Sequence, residues 1–494
     1  MKNIFHFRIL VFLLIIPFPL IAQWVQKGVA INGASSYHLS GRAVSLNGDG
    51  NILVIGSPGE GSVSSYEGSG RVFRWDGVSW QQKGSTVYGE HPLDQFGNSV
   101  SINEAGSIIA IGALFNDDNG MNAGLVRVYE WNGVDWLQLG ADIDGLSAED
   151  GSNIVSLNAD GNIVAIGAPH YSFNGDTGYV RVFEWISGNW NQLGATIYGE
   201  AAGDLSGLRV SLNNEGNELA IGAPANDGNG SNAGHVRIYA WDGSAWIQKG
   251  NDIDGEYALD NSGWSVSLSG DGNTVSIGAP GNSEVASNAG HARIFSFDGS
   301  DWVQKGADIN GYVADDLSGS SIGLSDGGDT VAIGAWEEIG IPIGYVHIFN
   351  WNGSSWTQVG NKITANCCGV AESIGLNNRG NVVAIGAYLH NGGGIGSGQV
   401  TVWSDITVGV SEINDNSMIT IFPNPSVDEI TINLNQKFES ITVTIKNNIG
   451  QILSSETFYD VIKIQHDFKL VPGYYFAEIS SDQAYIAITR FLKM

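Results

Sequence analysis

Cysteine and positive charge are both scarce in this chain of 494 residues. The two cysteines, Cys367 and Cys368, are neighbours in the sequence, which excludes a framework of disulfide bonds across the fold. Lysine and arginine together number 22 against 51 aspartates and glutamates, which leaves a net charge of −29. Because nucleic-acid phosphates and anionic membrane surfaces carry the same sign of charge, we expect neither as a partner.

Long apolar runs are missing too, except for one near the N-terminus. Lys2 and Arg8 are followed by the apolar run Ile9–Ile16 and then by the small residue Ala22. This order is typical of a secretory signal peptide, whereas an uncleaved membrane anchor would need a longer apolar span. We therefore predict a signal peptide over residues 1–22 and no transmembrane segment after its removal.

Glycine and tryptophan, in contrast, are abundant, and most of the tryptophans belong to a repeat. The string VSLNADGNIVAIGAP at residues 155–169 has a counterpart in six other places, spaced by 52–56 residues. Each copy continues with a segment such as GYVRVFEW and, in six copies, with the pattern W-x-Q-x-G. Every unit predicts four short strands. Seven such units predict an all-β fold, a seven-bladed β-propeller over residues 23–404.

The two ends of the repeat array complement each other. Residues Trp24–Gly28 have the W-x-Q-x-G pattern but precede the first complete unit, whereas the last unit stops at Trp403 without such a segment. A linear solenoid would not need an extra strand at one end that matches a missing strand at the other. We therefore predict that the N-terminal strand completes the last blade and closes the ring.

The repeated string, followed by a segment such as AGLVRVY, resembles the bacterial FG-GAP repeat, which is related to the propeller of integrin α subunits. The literal Phe-Gly pair stands at Phe96-Gly97, and a complete Gly-Ala-Pro triplet occurs in three units, the first at Gly167–Pro169. The resemblance implies a propeller fold but no particular function, since propellers host unrelated activities.

The resemblance to integrin-type repeats also implies a calcium site in the loop between the first two strands. Here the position of Asp160 is occupied by Gly327 and Arg379 in two other units, while that of Gly161 is glycine in all seven. Since the unit keeps the residue that tolerates positive φ and not the ligand, we interpret these Asp-Gly turns as hairpin turns without metal. Two longer loops leave calcium open, and no other cofactor is expected. The ligand candidates in those loops are Asp117, Asp227 and Asn229.

The sequence predicts no catalytic set, and we expect a protein that is not an enzyme. The string Gly319–Gly323 matches G-x-S-x-G but falls inside a predicted strand, whereas a nucleophile elbow needs a strand-turn-helix context. Three histidines occupy repeat positions of the third strand and are interpreted as scaffold, namely His235, His291 and His347. Five arginines share another position of that strand, namely Arg71, Arg127, Arg181, Arg237 and Arg293. We predict that they pair with loop carboxylates, namely those of Asp94, Asp204, Asp260 and Asp316.

Function is predicted on the face of the propeller where the loops vary. In a four-stranded meander, the loops between strands two and three and between strand four and the next unit lie on one face. Five aromatic residues in these loops are candidates for stacking on a ligand, namely Phe115, Tyr171, Trp264, Trp336 and Tyr388. We expect this face to bind an extracellular glycan or protein. A secreted polysaccharide lyase or hydrolase and a displayed scaffold without a dedicated ligand are the alternatives.

The composition changes after Trp403. A polar linker over residues 405–416 leads to residues 417–494, which contain no tryptophan. This segment resembles the sorting domain of the type IX secretion system of Bacteroidetes, a small Ig-like sandwich. The matching residues are Phe422–Pro425, Gly450, Gly473–Tyr475 and Lys493. The resemblance implies the secretion machinery as a partner and a Gram-negative cell from which the protein is secreted or on whose outer-membrane surface it stays.

Overall fold

The computed structural model describes residues 24–61, 66–169, 177–336, 344–364 and 370–405, and also 419–422, 429–447, 452–467, 473–480 and 485–493. All regular secondary structure among these residues is β-strand, as predicted. The chain divides into two compact units, of which the larger runs from Gln23 to Asp405. The predicted signal peptide, Tyr171 and the two cysteines lie outside the described residues.

The described residues of the larger unit form seven antiparallel sheets, which we call blades 1 to 7. The first two strands among the described residues are β1 (Trp24–Gln26) and β2 (Ile31–Asn32), which belong to blade 7. Blade 1 contains β3 (Ala43–Leu46), β4 (Ile52–Ser57), β5 (Ser69–Trp75), β6 (Trp80–Gln82) and β7 (Val87–Tyr88). Blade 2 contains β8 (Phe96–Ile102), β9 (Ile108–Ala113), β10 (Leu125–Trp131), β11 (Trp136–Gln138) and β12 (Ile143–Asp144). Blade 3 contains β13 (Ile154–Leu157), β14 (Ile163–Ala168), β15 (Tyr179–Ile186), β16 (Asn189–Gln192) and β17 (Ile197–Tyr198).

The remaining blades repeat this order. Blade 4 contains β18 (Arg209–Leu212), β19 (Glu218–Ala223), β20 (His235–Trp241), β21 (Trp246–Gln248) and β22 (Ile253–Asp254). Blade 5 contains β23 (Ser265–Leu268), β24 (Thr274–Ala279), β25 (His291–Phe297), β26 (Trp302–Gln304) and β27 (Ile309–Asn310). Blade 6 contains β28 (Ser321–Leu324), β29 (Thr330–Ala335), β30 (Tyr345–Trp351), β31 (Trp356–Gln358) and β32 (Ile363–Thr364). Blade 7 contains β33 (Val370–Leu376), β34 (Val382–Ala387) and β35 (Gln399–Asp405) together with the two N-terminal strands.

The outer edge of each blade differs from the single fourth strand that the sequence predicts. The third strand of a blade pairs with two short segments, such as β6 and β7 beside β5. The glycine of W-x-Q-x-G lies between the two segments. Gly84, for example, has a φ of +80°, and a Cβ there would lie 2.6 Å from the ring of Trp131 in the next blade. The backbone turns at this glycine because it must make room for a neighbouring tryptophan.

The N-terminal strand closes the ring, as predicted. Trp24 pairs with Asp405, and Gln26 pairs with Trp403, so β1 lies beside β35. Blade 1 also contacts blade 7 directly, since the amide of Val44 donates to the hydroxyl of Ser373 at 2.9 Å. The N- and C-terminal ends of the propeller are therefore hydrogen-bonded in one sheet. The outer edge of β35, the third strand of blade 7, is covered by β1.

The serine of the repeated VSLN string connects neighbouring blades. The amide of Leu157 in blade 3 donates to the hydroxyl of Ser101 in blade 2 at 3.0 Å, and Leu212 in blade 4 contacts Ser156 in the same way. The second strand lies between such contacts and is buried on both sides, with Leu53 and Ile55 fully buried. A nearly continuous apolar second strand follows from this double burial.

The Asp-Gly turn is closed by an asparagine. The side-chain oxygen of Asn158 accepts a hydrogen bond from the amide of Ile163 at 2.9 Å, and the carbonyl of Asn158 accepts the amide of Gly161 at 3.1 Å. Gly161 has a φ of +77°, whereas Asp160 is exposed. In this unit the asparagine supplies the closing contacts and the glycine the positive φ, whereas in two other units the carboxylates of Asp49 and Asp271 also accept a turn amide, from Asn51 and Asn273.

The C-terminal unit has its own sheet and core. Its strands are β36 (Ile419–Phe422), β37 (Glu429–Asn447), β38 (Ile452–Asp467), β39 (Gly473–Ser480) and β40 (Tyr485–Lys493). They are hydrogen-bonded as one antiparallel sheet in which β37 pairs with β36, β38 and β39. Its buried core includes Ile432, Val443 and Ile479. The two sheets of an Ig-like sandwich stay a prediction.

Candidate ligand-binding sites

The loops of the varied face are fastened to one another by backbone contacts. Gly234 in blade 4 forms a parallel bridge with Ser262 in the loop that leads to blade 5, and Gly290 forms the same bridge with Ser318. Both glycines have positive φ, and a Cβ on Gly234 would lie 2.2 Å from the carbonyl oxygen of Ser262. The loops are therefore held at fixed positions relative to the blades, which suits a preformed binding surface.

The first residues of the inner strands surround a cavity of about 500 Å³ on the propeller axis, which we call the axial cavity. All seven blades contribute to its lining. Its charged residues are Arg42, Arg209 and Glu372, and its aromatic residue is Phe115. The guanidinium of Arg42 lies 2.5 Å from the carboxylate of Glu372, so an ion pair between blades 1 and 7 stands at its edge.

Three of the five predicted aromatic residues lie at or next to this cavity. Phe115 lines it and is 37% exposed, and Trp264, which is 39% exposed, directly precedes the lining residue Ser265. The ring of Tyr388 lies 5.5 Å from the guanidinium carbon of Arg42. Burial raises the pKa of Tyr388 to about 12, and the nearby carboxylate of Glu372 adds to this. The structure therefore brings residues from blades 2, 5 and 7 to one place.

The other two predicted aromatic residues are not part of this group. Trp336 follows β29 and is only partly exposed, and its indole nitrogen is buried without a hydrogen-bond partner among the described residues. Tyr171 lies outside the described residues. The prediction that these two side chains contact a ligand stays untested.

The three calcium candidates form hydrogen bonds within or between loops. A carboxylate oxygen of Asp117 accepts the amide of Asn122 at 2.7 Å, and Asp227 accepts the amide of Asn232 at 2.8 Å. The side-chain amide of Asn229 donates to the carbonyl of Gly255 at 2.8 Å. All three side chains have a structural role, and calcium binding by them stays a prediction.

The predicted partners of the repeated arginines are wrong. The loop carboxylates instead accept hydrogen bonds from loop residues, as Asp260 does from the amide of Tyr257 in its own loop at 3.0 Å and from the side chain of Asn282 in the next loop at 3.2 Å. The arginines reach other partners at the outer edge. Arg127, for example, contacts both oxygens of Asp142, at 2.9 and 2.6 Å, and also Glu90 at 2.7 Å. Sequence spacing could not distinguish these two sets of acidic residues, because both recur with the same period.

A second cavity, of about 630 Å³, lies between blades 5 and 6 at the outer rim, and we call it the Tyr312 pocket. The residues that line it are Tyr312, Val313, Asp316, Tyr345, His347, Gln358, Asn361 and Lys362. This pocket is not among the sites predicted from the sequence, in which the repeat position of His347 indicates a scaffold residue. A signal was present, however. Tyr312 and Lys362 occupy the positions that Glu256 and Asp308 occupy one repeat earlier. Both positions are therefore acidic in the earlier repeat, and neither is acidic at the Tyr312 pocket.

His347 forms the centre of the Tyr312 pocket. Its ring centroid lies 4.8 Å from that of Tyr345 and 5.2 Å from that of Tyr312, and the ammonium of Lys362 lies 4.9 Å from the Tyr345 ring. Burial, together with the charge of Lys362, lowers the pKa of His347 to about 4. The imidazole is therefore neutral at pH 7, and within the described part of the protein its Nε2 is buried without a hydrogen-bond partner.

Asp316 holds the loop that carries Tyr312. Its carboxylate accepts the amides of Tyr312 and Val313, at 2.7 and 3.0 Å, and the hydroxyl of Tyr345 at 2.9 Å. The ring of Tyr312 itself is 58% exposed. The pocket thus combines a fixed backbone with an accessible aromatic ring, above a histidine that has an unused hydrogen-bonding nitrogen.

Two parts of the sequence match known families. Residues 420–493 match the Secretion system C-terminal sorting domain, and residues 91–129 match the FG-GAP repeat. A search among curated proteins finds no match.

Among solved structures, the chain is similar to the Kuenenia stuttgartiensis hydrazine synthase, with 12% identity and a TM-score of 0.50 over 77% of this chain and 98% of that one. A putative 6-phosphogluconolactonase from Bacteroides uniformis has 12% identity and a TM-score of 0.46, over 85% of this chain and 99% of that one. The GH74 xyloglucanase from Xanthomonas campestris has 10% identity and a TM-score of 0.44, over 84% of this chain and 59% of that one. At these identities the likeness concerns the fold alone.

The blades and their arrangement define the class of this protein, an all-β propeller. Residues 91–129 of this propeller match the FG-GAP repeat, and the sorting domain over residues 420–493 directs the protein through the type IX secretion system to the cell surface or the extracellular space. No helix among the described residues is long and apolar enough to cross a membrane.

Proposed function

We propose that this exported propeller binds carbohydrate outside the cell and that the Tyr312 pocket is a sugar-binding site. The observation that supports this most is the exposed ring of Tyr312 beside the buried, neutral imidazole of His347. The apolar face of a sugar ring stacks on an aromatic ring, and its hydroxyl groups need nearby donors and acceptors. The side chains of Asn361 and Lys362 line the same pocket and supply such groups.

The composition of the pocket supports binding over hydrolysis. Glycosidases use two carboxyl groups on either side of the bond that they cleave. The lining of the Tyr312 pocket contains one, Asp316, and three hydrogen bonds from its own loop and from Tyr345 already engage it. A secreted adhesin or binding protein is therefore the function that we propose, and a polysaccharide-active enzyme is the alternative.

The proposal is tested by measuring the affinity of the purified protein for xylan, laminarin, pectin and alginate. We expect saturable binding to at least one of them. Loss of the ring in Tyr312→Ala should weaken this binding about fivefold or more, since stacking contributes roughly 1 kcal/mol. Tyr257→Ala is the matched control, because Tyr257 is 59% exposed in the corresponding loop of blade 4 and does not line the pocket.

Three results would contradict the proposal. Equal losses in both tyrosine variants would indicate a general effect on the loops, and no loss in either would place the site elsewhere. In the latter case, Trp264→Ala tests the axial cavity as the site, with Trp241→Ala as a variant that should destabilise blade 4. Release of new reducing ends or unsaturated sugars from any of the polysaccharides would favour the enzyme.

A further inference from the structure

Three carboxylates and one histidine converge where blade 4 meets blade 5. Glu256 follows β22 of blade 4, whereas the other three residues belong to blade 5: Glu284 in the loop between β24 and β25, His291 at the start of β25 and Asp308 just before β27. One ligand atom from each of the four lies within 4.8 Å of the others. We call these four residues the His291 cluster.

The histidine of this cluster lacks partners. The side chain of His291 is fully buried, and neither ring nitrogen has a hydrogen-bond partner in the part of the chain that the structure describes. Its nearest carboxylate, that of Glu256, lies 4.0 Å from Nδ1. Leaving a buried polar group without a partner is unfavourable, so a site with this arrangement calls for an additional ligand.

The position of His291 suits metal binding. Its imidazole is fully buried, and one ring nitrogen lies within 4.8 Å of a carboxylate oxygen from each of the three acidic residues. An imidazole nitrogen is a common ligand of transition-metal ions in proteins.

The charge of the cluster also favours a bound cation. The guanidinium of Arg293 lies 3.6 Å from Glu256 and offsets one of the three carboxylates, which leaves two negative charges. A divalent cation would neutralise the remaining charge and relieve the repulsion.

We propose that the His291 cluster binds a divalent transition-metal cation, with Zn²⁺ as the best representative of that class. One nitrogen and three carboxylate oxygens are a donor set that zinc accepts in tetrahedral geometry at about 2.0–2.2 Å. Glu284 is the exposed member of this donor set. Calcium fits less well, because it takes about six to eight oxygen ligands. The bound cation would fasten Glu256 of blade 4 to blade 5.

The preceding repeat provides an internal comparison. Glu200, His235 and Asp252 occupy the corresponding positions at the boundary between blades 3 and 4, and their ligand atoms also lie within 4.8 Å of one another. The counterpart of Glu284 is Gly228, so the fourth ligand is missing there. We therefore expect the His291 cluster to bind zinc more tightly than this three-residue cluster does.

Isothermal titration of ZnCl₂ into EDTA-treated, dialysed protein tests the proposal. We expect one saturable site whose affinity falls about tenfold or more in Glu284→Gln and is lost in His291→Gln. Asp252→Asn should leave that site unchanged. The matched control is Asp160→Asn, which removes the same charge from an exposed turn on the opposite face. Because Glu284 is exposed, the Glu284→Gln variant should fold normally. If His291→Gln does not fold, the zinc affinity of Glu284→Gln alone tests the proposal.

A second measurement identifies the ligand directly. In the NMR spectrum of ¹⁵N-histidine-labelled protein, the ring resonances of His291 should shift when one equivalent of ZnCl₂ is added. No saturable zinc binding, unchanged affinity in Glu284→Gln, or binding of CaCl₂ in preference to ZnCl₂ would each overturn the proposal.

Discussion

The indole nitrogen of Trp136 in blade 2 donates a hydrogen bond to the carbonyl oxygen of Lys83 in blade 1 at 2.8 Å. The same bond joins five further pairs of residues from successive blades, namely Trp80 and Lys27, Trp190 and Leu139, Trp246 and Leu193, Trp302 and Lys249, and Trp356 and Lys305. Trp24 of blade 7 is the exception, since its indole nitrogen is buried without a partner among the described residues. The tryptophan of W-x-Q-x-G is thus a connection between blades, which explains its recurrence.

We expect Trp136→Phe to destabilise the propeller, because phenylalanine retains most of the apolar contact but loses the donor and leaves the Lys83 carbonyl unpaired. The cost should be about 1–3 kcal/mol, which urea denaturation can measure. Trp264→Phe is the control, since Trp264 is exposed in a loop. Equal stability of the two variants would mean that the hydrogen bond between blades contributes nothing.

We expect Gly84→Ala to cost more than Gly77→Ala. Both glycines have positive φ, +80° and +99°, so alanine is strained at either position. A Cβ on Gly84 would in addition lie 2.6 Å from the Trp131 ring, whereas nothing lies within 4 Å of a Cβ on Gly77. The difference in free energy of unfolding between the two variants should be about 1–3 kcal/mol. Matching values would show that the glycine is required for its φ alone.

We expect the stability of the protein to fall as the pH decreases from about 6.5 to 4, partly because of His347. Burial holds the pKa of this imidazole at about 4 in the folded protein, below the value of 6.5 that an unperturbed histidine has. In this interval the unfolded chain therefore binds a proton that the folded protein does not, and protonation favours unfolding. The loss between pH 7.5 and 5 should be smaller in His347→Gln than in the wild type, as measured by urea denaturation at both pH values. An identical pH dependence would contradict the assignment.

The candidate sites show where prediction from the sequence reached its limit. Phe115, Trp264 and Tyr388 were recognisable because they are aromatic residues in loops that differ among the repeats. His291 and His347 were assigned to the scaffold because they occupy repeat positions. Their scaffold role stays a prediction, and their neighbours could not be predicted because a repeat position specifies the backbone environment of a residue and not the side chains that it meets in the next blade.

The sequence by itself determined the number and order of the repeat units, the hairpin turns and the closure by the N-terminal strand. These features follow from local periodicity, from glycines that accept positive φ and from the complementary ends of the array. The tertiary structure decided which side chains meet across blade boundaries. Glu256 and His291, and likewise Tyr312 and His347, are separated by 35 residues and come together where adjacent blades pack against each other. Such contacts depend on the geometry of packing between two sheets, which the pattern within a single repeat does not contain.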